Sequence, residues 1–335
     1  MGSKKPLLLG LTALLLALGL SLAFDGGGRW IDRRAYLLGT LVEIEAPDDG
    51  AITAAFQEIA RVERLTATEG EGELARLNRE AQGRPVKVSD ELFALLERAR
   101  KYKELTAGKF DISLGRLVDL WGFGEGVTKA PSQVPSAGKI ARLLKGREIV
   151  LDKAKRMVQL GPNAELDLGG IAKGYAVDRA IQVLKDYGVK AALVNAGGDI
   201  RIYGMRPGRF FSRRPFRIAI QHPRDEAKIL GIVKLSGDRA IATSGDYERY
   251  FIQDGVRYHH ILDPATGRPA RGCISVTITA PTALEADALA TGVFVLGPQR
   301  GLELIERLPE VEGIIVDPEG KIYKSSGLAD LELRY

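Results

Sequence analysis

Hydrophobic positions along the chain follow two different periods. In some segments apolar residues recur every three or four positions, the spacing of one face of a helix, and in others they alternate with polar residues or form short apolar runs, as in strands. This pattern predicts helices at Thr53–Leu65, Asp90–Thr106, Leu284–Val295 and Pro298–Arg307, and short helical segments at Glu73–Asn78 and Lys139–Leu144. It predicts strands at Arg34–Glu45, Ala191–Asn195, Ile200–Gly204, Arg217–Gln221, Ile229–Leu235, Ala240–Ser244, Tyr250–Gln253 and Ser275–Thr279, and hairpins of Ile149–Leu151 with Met157–Leu160 and of Gly313–Val316 with Lys321–Lys324.

The connections between these segments indicate the class of fold. Ser89 and Thr282 stand where helix caps are favoured, and Asp254-Gly255 is a hairpin turn signal. Phe110–Gly124 is expected to be a packed, irregular segment, and Lys129–Gly138 a loop. Many strands joined by short links, with helices in runs, predict an α+β fold of mixed, mainly antiparallel sheets packed with helices. No linker divides residues 34–335, so we expect one domain there.

The other motifs are arranged around the segment Leu166–Ala180, with sequence LDLGGIAKGYAVDRA. It runs from a short apolar stretch through two glycines into an amphipathic helix. Gly169 and Gly170 allow a ligand to approach the backbone, and the first turn of a helix offers free N–H groups that attract phosphate. The pattern is neither GxGxxG nor GxxxxGK[ST], so a plain turn is the simpler explanation of the glycines taken alone.

Charge and cysteine content exclude several classes of protein. The 335-residue chain has a formal net charge of +5, but Lys and Arg are interspersed with acidic residues, a pattern that does not favour nucleic-acid binding. The basic and aromatic segment Arg206–Arg217 is more simply a solvated loop or a docking edge. Cys273 is the single cysteine, so no internal disulfide can form, and a Cys/His zinc site is unfavourable. We expect any metal to be a hard cation held by oxygen.

The N-terminal residues have the pattern of an export signal. Lys4 and Lys5 precede the apolar run Leu7–Leu20, and small residues follow it. We expect residues 1–23 to be a signal peptide or an uncleaved anchor, and residues 24–33 to be a tether. The mature protein is then exported to a bacterial periplasm, with anchoring in the inner membrane as the alternative. No cysteine lies near the end of the apolar run, which argues against an N-terminal lipoprotein.

The predicted helix after Thr282 carries a second group of candidates. Asp287 and Thr291 are four residues apart, so their oxygens share one face of the helix. One explanation is structural, with the Asp bonded to nearby backbone and the Thr bonded back to its own helix. The other is a magnesium site, since Mg²⁺ typically takes one or two carboxylates together with substrate phosphates. A backbone carbonyl at Gly170 would add a third oxygen, and spacing alone leaves both explanations open.

Several motifs in a fixed order are specific in combination. They are LDLGGIAKGYAVD, LVNAGGDI, IATSGDYERYF, HHILDPATGRPA and SVTITAPTALEADALATGVFVLGP, preceded by YLLGT, LTATEGEGELARLN and FDISLGRLVDLWGFG. Together they resemble the ApbE family, the FAD:protein FMN transferases, over nearly the whole chain after the N-terminal segment. The resemblance implies a T-fold-like architecture, Mg²⁺-bound FAD as donor, and transfer of FMN to a Thr or Ser hydroxyl with release of AMP. It also implies an acceptor flavoprotein subunit of a membrane redox complex, and this chain has no acceptor-like DxxSGATS segment of its own.

The same resemblance assigns candidate site residues. It implies that His260, in the HxxDP motif, is the catalytic base or positions the acceptor hydroxyl. Mg²⁺ would be held by the Gly170 carbonyl, Asp287 and Thr291. FAD would contact Leu38, Thr68, Lys109, Phe110, Asp111, Asp167, Lys173 and Leu262.

Two positions depart from the family pattern, and two other functions stay open. Thr68 stands where many relatives have an aromatic residue, and Ala290 where some have a second Asp, so a stacking contact and a metal ligand would be missing. The first alternative function is an FAD pyrophosphatase, in which water replaces the acceptor and FMN and AMP are released. The second is a periplasmic FAD-binding protein without turnover, which would need neither a metal nor a base.

Overall fold

The structure is a computed structural model that describes residues 30–125, 133–207, 212–328 and 331–333. The predicted signal peptide or anchor, most of the tether, the start of the loop Lys129–Gly138 and the centre of the segment Arg206–Arg217 lie outside these ranges. None of the described helices is long and apolar enough to cross a membrane.

The described helices differ in whether a side chain caps their N-terminus. They are α1 (Asp49–Thr66), α2 (Glu73–Glu80), α3 (Asp90–Leu105), α4 (Gly115–Leu120), α5 (Ala137–Leu143), α6 (Ala172–Asp186), α7 (Ala283–Leu296) and α8 (Pro298–Ile305). Four of the described helices, α1, α3, α5 and α7, begin at a capping side chain, whereas α2, α4, α6 and α8 have no side-chain cap. The predicted caps are confirmed, because Leu92 N–H donates to Ser89 Oγ at 3.2 Å and Glu285 N–H donates to Thr282 Oγ1 at 3.2 Å.

The strands fall into one large and several small antiparallel sheets. They are β1 (Ile31–Leu37), β2 (Thr40–Ala46), β3 (Val86–Lys87), β4 (Ile149–Asp152), β5 (Met157–Leu160), β6 (Ala192–Ala196), β7 (Asp199–Gly204), β8 (Arg206–Pro207), β9 (Arg213–Arg214), β10 (Phe216–Gln221), β11 (Ile229–Leu235), β12 (Gly237–Gly245), β13 (Tyr250–Gln253), β14 (Val256–His259), β15 (Leu262–Asp263), β16 (Arg268–Pro269), β17 (Ser275–Ala280), β18 (Glu312–Val316), β19 (Ile322–Lys324) and β20 (Leu331–Leu333). The large sheet has the order β1-β2-β6-β7-β12-β17-β18-β19.

Three layers build the core. Helices α1, α6, α7 and α8 cover one face of the large sheet, and the small sheet β10-β11-β20 lies over the other. Neighbouring residues of one strand therefore enter different cores: in β6, Val194 packs under the helices whereas Leu193 packs with the small sheet. A third cluster holds Trp121 and Leu117 against the hairpin β13–β14.

The predicted α+β fold is confirmed, with three local differences. The strand predicted over Arg34–Glu45 is two strands, because Leu38 and Gly39 both take positive φ (55° and 69°) and turn the chain back as a hairpin. The irregular segment Phe110–Gly124 contains the short helix α4, and the turn predicted at Glu73–Asn78 continues to Glu80.

Candidate active site

The close approach of α6 and α7 creates a free carbonyl oxygen. Gly174 N–H does not donate to the carbonyl four residues earlier, as helix geometry would have it, but to Asp287 Oδ2 at 3.0 Å. Among the described residues, no N–H donates to the Gly170 carbonyl and none to the second oxygen of Asp287. Both oxygens therefore lack a described N–H donor, although the Asp287 carboxylate also shares a side-chain hydrogen bond with Asp199. Asp287 itself is 4% exposed.

Thr291 lies one turn further along α7 and borders the same space. A Cβ added at Gly170 would lie 3.2 Å from Thr291 Oγ1, so the two residues are in direct proximity. The Thr291 hydroxyl contacts Ser244 Oγ at 3.3 Å, whereas Thr66 and Thr106 bond back to their own helices at 2.9 and 2.7 Å. The structural explanation of Thr291, a bond to its own helix, is therefore not what the structure contains.

The side chains around Lys173 carry more negative than positive charge. Lys173 Nζ forms an ion pair with Asp199, which is buried at the start of β7, and Asp287 lies beside both. Burial and then the charge of Asp199 raise the pKa of Asp287 to about 7, although Lys173 opposes the shift. Burial would lower the pKa of Lys173, but Asp199, Asp287 and Glu248 outweigh it and raise this pKa. The Lys173 side chain is nevertheless 27% exposed, as expected for a group on the wall of a cleft.

The oxygen set fits a hard cation. A carbonyl, a carboxylate and a hydroxyl are ligands typical of Mg²⁺, and two carboxylates against one lysine leave negative charge for a cation to neutralise. In the part of the chain that the structure describes, no three His, Cys, Asp or Glu side chains cluster as a metal site. A metal in this cleft would therefore depend on the Gly170 carbonyl and Thr291 as well as on Asp287.

His260 is held with one ring nitrogen available. Its backbone N–H donates to Arg249 O at 3.1 Å, and its Nδ1 lies 3.3 Å from the same carbonyl. Because a carbonyl only accepts, Nδ1 carries the proton and Nε2 has a free lone pair. Burial, and then the charge of Arg249, lower the pKa of this partly exposed ring, so it is neutral at pH 7. Lys173 contributes to the same shift, which relates His260 to the oxygen cluster.

His259, the preceding residue, has a structural role. It is buried, its Nε2 donates to Ala270 O at 2.8 Å, and its Nδ1 accepts from Ile261 N–H at 3.3 Å. Both ring nitrogens are thus used inside the protein. Of the two histidines in the HHILDP motif, only the second has a ring nitrogen free to accept a proton.

Asp167 and Thr68 both interact with Glu125. Asp167 Oδ1 accepts from Gly169 N–H at 2.7 Å and fixes the glycine turn before α6. Burial raises the pKa of Asp167, and the charges of Arg249 and Glu125 act on it in opposite directions. Thr68 donates its N–H and its hydroxyl to Glu125 Oε2 at 2.7 and 2.9 Å, so its polar atoms are used to hold Glu125.

The predicted donor-binding segment Lys109–Asp111 is largely tied to the protein. Lys109 Nζ pairs with Asp263 Oδ1 at 2.9 Å. The Asp111 carboxylate is buried between Lys103 Nζ at 3.0 Å and Arg147 Nη1 at 3.3 Å, so it positions the segment. Phe110 is the member nearest the oxygen cluster, because its ring edge would lie 3.2 Å from a Cβ at Gly170.

Leu262 and Leu38 are further from that cluster. Leu262 is buried with Trp121 in the third apolar cluster, next to Asp263. Leu38 occupies the β1–β2 turn, where its N–H donates to Glu63 Oε1 at 2.7 Å. The strand after this turn begins with Thr40, which touches Gly197 in the turn before Asp199.

Sequence reasoning missed two members of the cleft, Asp199 and Arg249. The Asp follows the glycine turn of LVNAGGDI, and a carboxylate placed directly after two glycines was the available signal. Arg249 holds His260 through its main-chain carbonyl, for which the residue type carries no signal, and its charge acts on His260 and Asp167 as well. The structure brings Gly170, Lys173, Asp287 and Thr291 together, with Phe110 and His260 nearby.

These groups define a class of protein. A helix N-terminus with a nearby lysine attracts phosphate, three oxygens suit a divalent cation, and an imidazole with a free nitrogen can take a proton. The combination is that of an enzyme acting on a phosphate group.

Comparisons with known proteins give the family. The profile of the ApbE family matches residues 38–315, and the chain belongs to this family. A curated FAD:protein FMN transferase of Treponema pallidum is 35% identical over 322 residues, which cover 90% of this chain and 88% of the relative. One from Vibrio cholerae is 35% identical over 269 residues, 79% of each chain.

Solved structures agree with this assignment. The ApbE protein of Thermotoga maritima superposes with a TM-score of 0.81 at 36% identity, covering 89% of this chain and 97% of that one. The flavin transferase ApbE of Vibrio cholerae gives a TM-score of 0.78 at 31% identity, covering 90% and 99%. The predicted family, the enzyme class and the fold are thereby confirmed.

Proposed function

We propose that this chain transfers FMN from FAD to a Thr or Ser hydroxyl of an acceptor protein, with Mg²⁺ and with release of AMP. The relatives named above carry the name of this activity. The observation that carries the proposal is the oxygen set of Gly170, Asp287 and Thr291 at the N-terminus of α6, where the charge of Lys173 also acts on His260.

Gly170, Asp287 and Thr291 are the residues that would hold the metal. When bound, Mg²⁺ supplies positive charge that neutralises phosphate oxygens and stabilises the leaving phosphate. Asp287 is the one ionisable member of this set, and its pKa is raised by burial and then by the negative charge of Asp199. Replacing its charge is therefore expected to weaken metal binding more than replacing Thr291.

His260 accepts the proton of the acceptor hydroxyl. A new bond forms between the acceptor oxygen and the phosphorus of the FMN moiety, and the bond from that phosphorus to the oxygen of the AMP phosphate breaks. The hydroxyl proton passes to His260 Nε2, while Nδ1–H stays on Arg249 O and fixes the ring. Arg249 and Lys173 lower the pKa of His260, and the negative phosphates of FAD act in the opposite direction, toward a more effective base.

Lys173 and the first turn of α6 bind and orient the donor. Lys173 N–H has no acceptor among the described residues, so it is available to a phosphate oxygen. Its side chain stays protonated beside Asp199, which keeps a positive charge in the cleft at every physiological pH. Asp167, by fixing the glycine turn, keeps this N-terminus open to the ligand.

The acceptor and the compartment are part of the proposal. The basic residues Lys4 and Lys5 followed by the apolar run Leu7–Leu20 support export, and hence an acceptor subunit of a membrane redox complex that faces the periplasm. Cell fractionation tests this directly. Recovery of the protein only with cytoplasmic markers would contradict it.

Mass spectrometry of an acceptor peptide tests the transfer. The purified chain is incubated with FAD, Mg²⁺ and a synthetic DxxSGATS peptide, with and without EDTA. We expect a mass gain equal to FMN on Thr or Ser that EDTA abolishes. AMP and free FMN with unmodified peptide would establish the pyrophosphatase, and intact bound FAD would establish a binding protein.

Two variants link the result to the oxygen set. Asp287→Asn keeps an acceptor for Gly174 N–H but removes the charge, and we expect loss of transfer together with weaker Mg²⁺ binding. Asp186→Asn, on the exposed last residue of α6, is the matched control and should transfer normally. Full activity of Asp287→Asn would disprove the metal assignment.

A further inference from the structure

Exposed apolar side chains are concentrated on one hairpin. In the part of the chain that the structure describes, the large exposed hydrophobic residues are Tyr36, Val150, Tyr187, Tyr250, Ile252 and Val256. The last three belong to β13–β14, where their exposed fractions are 42%, 61% and 40%, and the first three are scattered over separate elements. Isolated exposed apolar residues are ordinary, but Tyr250 and Ile252 lie side by side on one face of β13, whereas Val256, paired with Gln253, lies on the other face. Adjacent exposed apolar residues on a single face indicate an interaction surface.

The same hairpin has an edge with which no other described strand pairs. Asp254 and Gly255 form a two-residue turn with positive φ (51° and 75°), so Gln253 and Val256 exchange hydrogen bonds. Hydrogen-bonded and non-hydrogen-bonded residue pairs then alternate along the two strands. Tyr250 and Ile252 belong to non-hydrogen-bonded pairs, so their N–H and C=O groups point away from β14. The bond from His260 N–H to Arg249 O agrees with this alternation. No described group bonds to the outward backbone of Tyr250 or Ile252, since β14 is the one strand paired with β13.

One end of this edge lies next to His260. Arg249, the residue before β13, holds both the backbone and the ring of His260 through its carbonyl. Phe251, on β13, stacks on Phe123, whose ring meets the His260 ring edge-on at 6.4 Å between centroids. A segment paired with β13 would lie two strand spacings, roughly 10 Å, from the backbone of β14. A side chain of such a segment and the imidazole together span that distance.

The hairpin is firmly seated, so it can act as a template. Trp121 and Tyr258 stack at 5.6 Å, and Gln253 Oε1 accepts from Val134 N–H at 3.0 Å. On the open face, the Arg257 guanidinium lies 4.1 Å over the Tyr250 ring and is itself paired with the buried Asp246. The exposed face of β13 is therefore apolar, with its nearest positive charge already compensated.

We propose that β13 is the docking edge for the acceptor, an extended segment of the acceptor protein that adds to the hairpin as a further strand. Its backbone pairs with Tyr250 and Ile252, its uncharged side chains cover Ile252, and its Thr or Ser reaches His260. The inference rests on the proposed transfer to a protein hydroxyl. The acceptor is then an unfolded segment or a loop that takes up β conformation, rather than a folded protein surface.

Proline at position 252 tests the edge. Ile252→Pro removes the outward N–H and places a ring where the added strand would pair, yet breaks no bond of the hairpin. Ile252→Ala removes the apolar side chain but keeps the N–H. With the DxxSGATS peptide, we expect the KM of Ile252→Pro to rise at least about tenfold, and that of Ile252→Ala about threefold. Val150→Ala, an equally exposed apolar site on β4, should behave as wild type.

Controls separate this inference from the proposed function. If the wild type does not modify the peptide, the transferase assignment itself fails. If the wild type does and Ile252→Pro binds FAD and modifies the peptide with unchanged KM, the docking edge is wrong. Hydrogen exchange of the wild type gives a second measurement that needs no variant. The Tyr250 and Ile252 amides should be slowed by a peptide whose acceptor residues are replaced by Ala, and unchanged exchange at saturating peptide would overturn the inference.

Discussion

Gly174 is the position where a single methyl group should disturb both stability and the metal site. It lies in the first turn of α6, at the crossing with α7. A Cβ there would be 2.6 Å from the carbonyl carbon of Ala283, 2.8 Å from Leu284 Cα, and closer still to the Ala283 oxygen. All of these atoms are backbone, so no side-chain rotation can relieve the contact. We therefore expect Gly174→Ala to force the two helices apart.

The expected change in the free energy of unfolding is the difference between opposing contributions. Ala is favoured over Gly in a helix interior by about 1 kcal/mol, whereas inserting a methyl into a packed contact costs about 1–3 kcal/mol. Moving the Ala283 carbon from 2.6 Å to an ordinary contact near 3.4 Å requires about 0.8 Å of separation. That shift would stretch the bond from Gly174 N–H to Asp287 Oδ2 from 3.0 Å to about 3.8 Å, beyond hydrogen-bond distance. With this bond lost, the net destabilisation is about 2 kcal/mol, or roughly 4 °C in Tm.

Thermal unfolding and Mg²⁺ titration of the same samples check this prediction. Gly138→Ala is the matched control, because Gly138 also lies in the first turn of a helix, α5, and a Cβ there meets nothing within 4 Å. We expect the control to keep or raise Tm and to bind Mg²⁺ normally. A Gly174→Ala protein with the Tm and the Mg²⁺ affinity of wild type would refute the reasoning, since the higher helix propensity of Ala would then outweigh the steric contact with α7.

Two further predictions use the site and its surroundings. Thr291→Val should weaken Mg²⁺ binding about tenfold with almost no change in Tm, because Ser244 Oγ, at 3.3 Å, is the one hydrogen-bond partner of the hydroxyl among the described residues. Calorimetric titration measures the affinity, with Thr66→Val as the control. Burial lowers the pKa of His259 to about 4, so between pH 7 and 5 the unfolded chain takes up a proton that the folded chain refuses, and stability falls as pH falls. The free energy of unfolding of wild type should therefore drop by about 2 kcal/mol more than that of His259→Gln over this range, and equal slopes would contradict the neutral ring.

Local elements were predictable because their signals are local. Ser89 and Thr282 cap helices through bonds to residues three positions later, and the apolar face of α3 and the nearly continuous apolar sequence of α7 need no knowledge of the fold. The β1–β2 hairpin was missed because its turn depends on Leu38 at positive φ, a conformation that Leu rarely adopts. The order of the large sheet places β6 beside β2, which no local pattern encodes.

The candidate site was predictable only through recognition of ordered motifs. Asp287 and Thr291 share a face at a spacing that sequence reveals, but the reason that they matter is the distant Gly174 N–H, 113 positions away from the Asp. The ion pair of Lys173 with Asp199 is likewise a tertiary contact. Main-chain participants such as the Arg249 carbonyl leave no trace in residue identity.

One helix crossing explains why these ligands occur together. The absence of a side chain at Gly174 lets α7 approach, and Asp287 then takes the N–H that would have bonded to the Gly170 carbonyl. Gly170 itself lies close to Thr291, one turn further along α7. If the oxygens form one unit in this way, their losses cannot be independent. Gly174→Ala and Asp287→Asn should each remove most of the Mg²⁺ affinity, and the double variant should lose little more than either alone. Additive losses in a titration of all four proteins would mean that Asp287 binds the metal without help from the crossing.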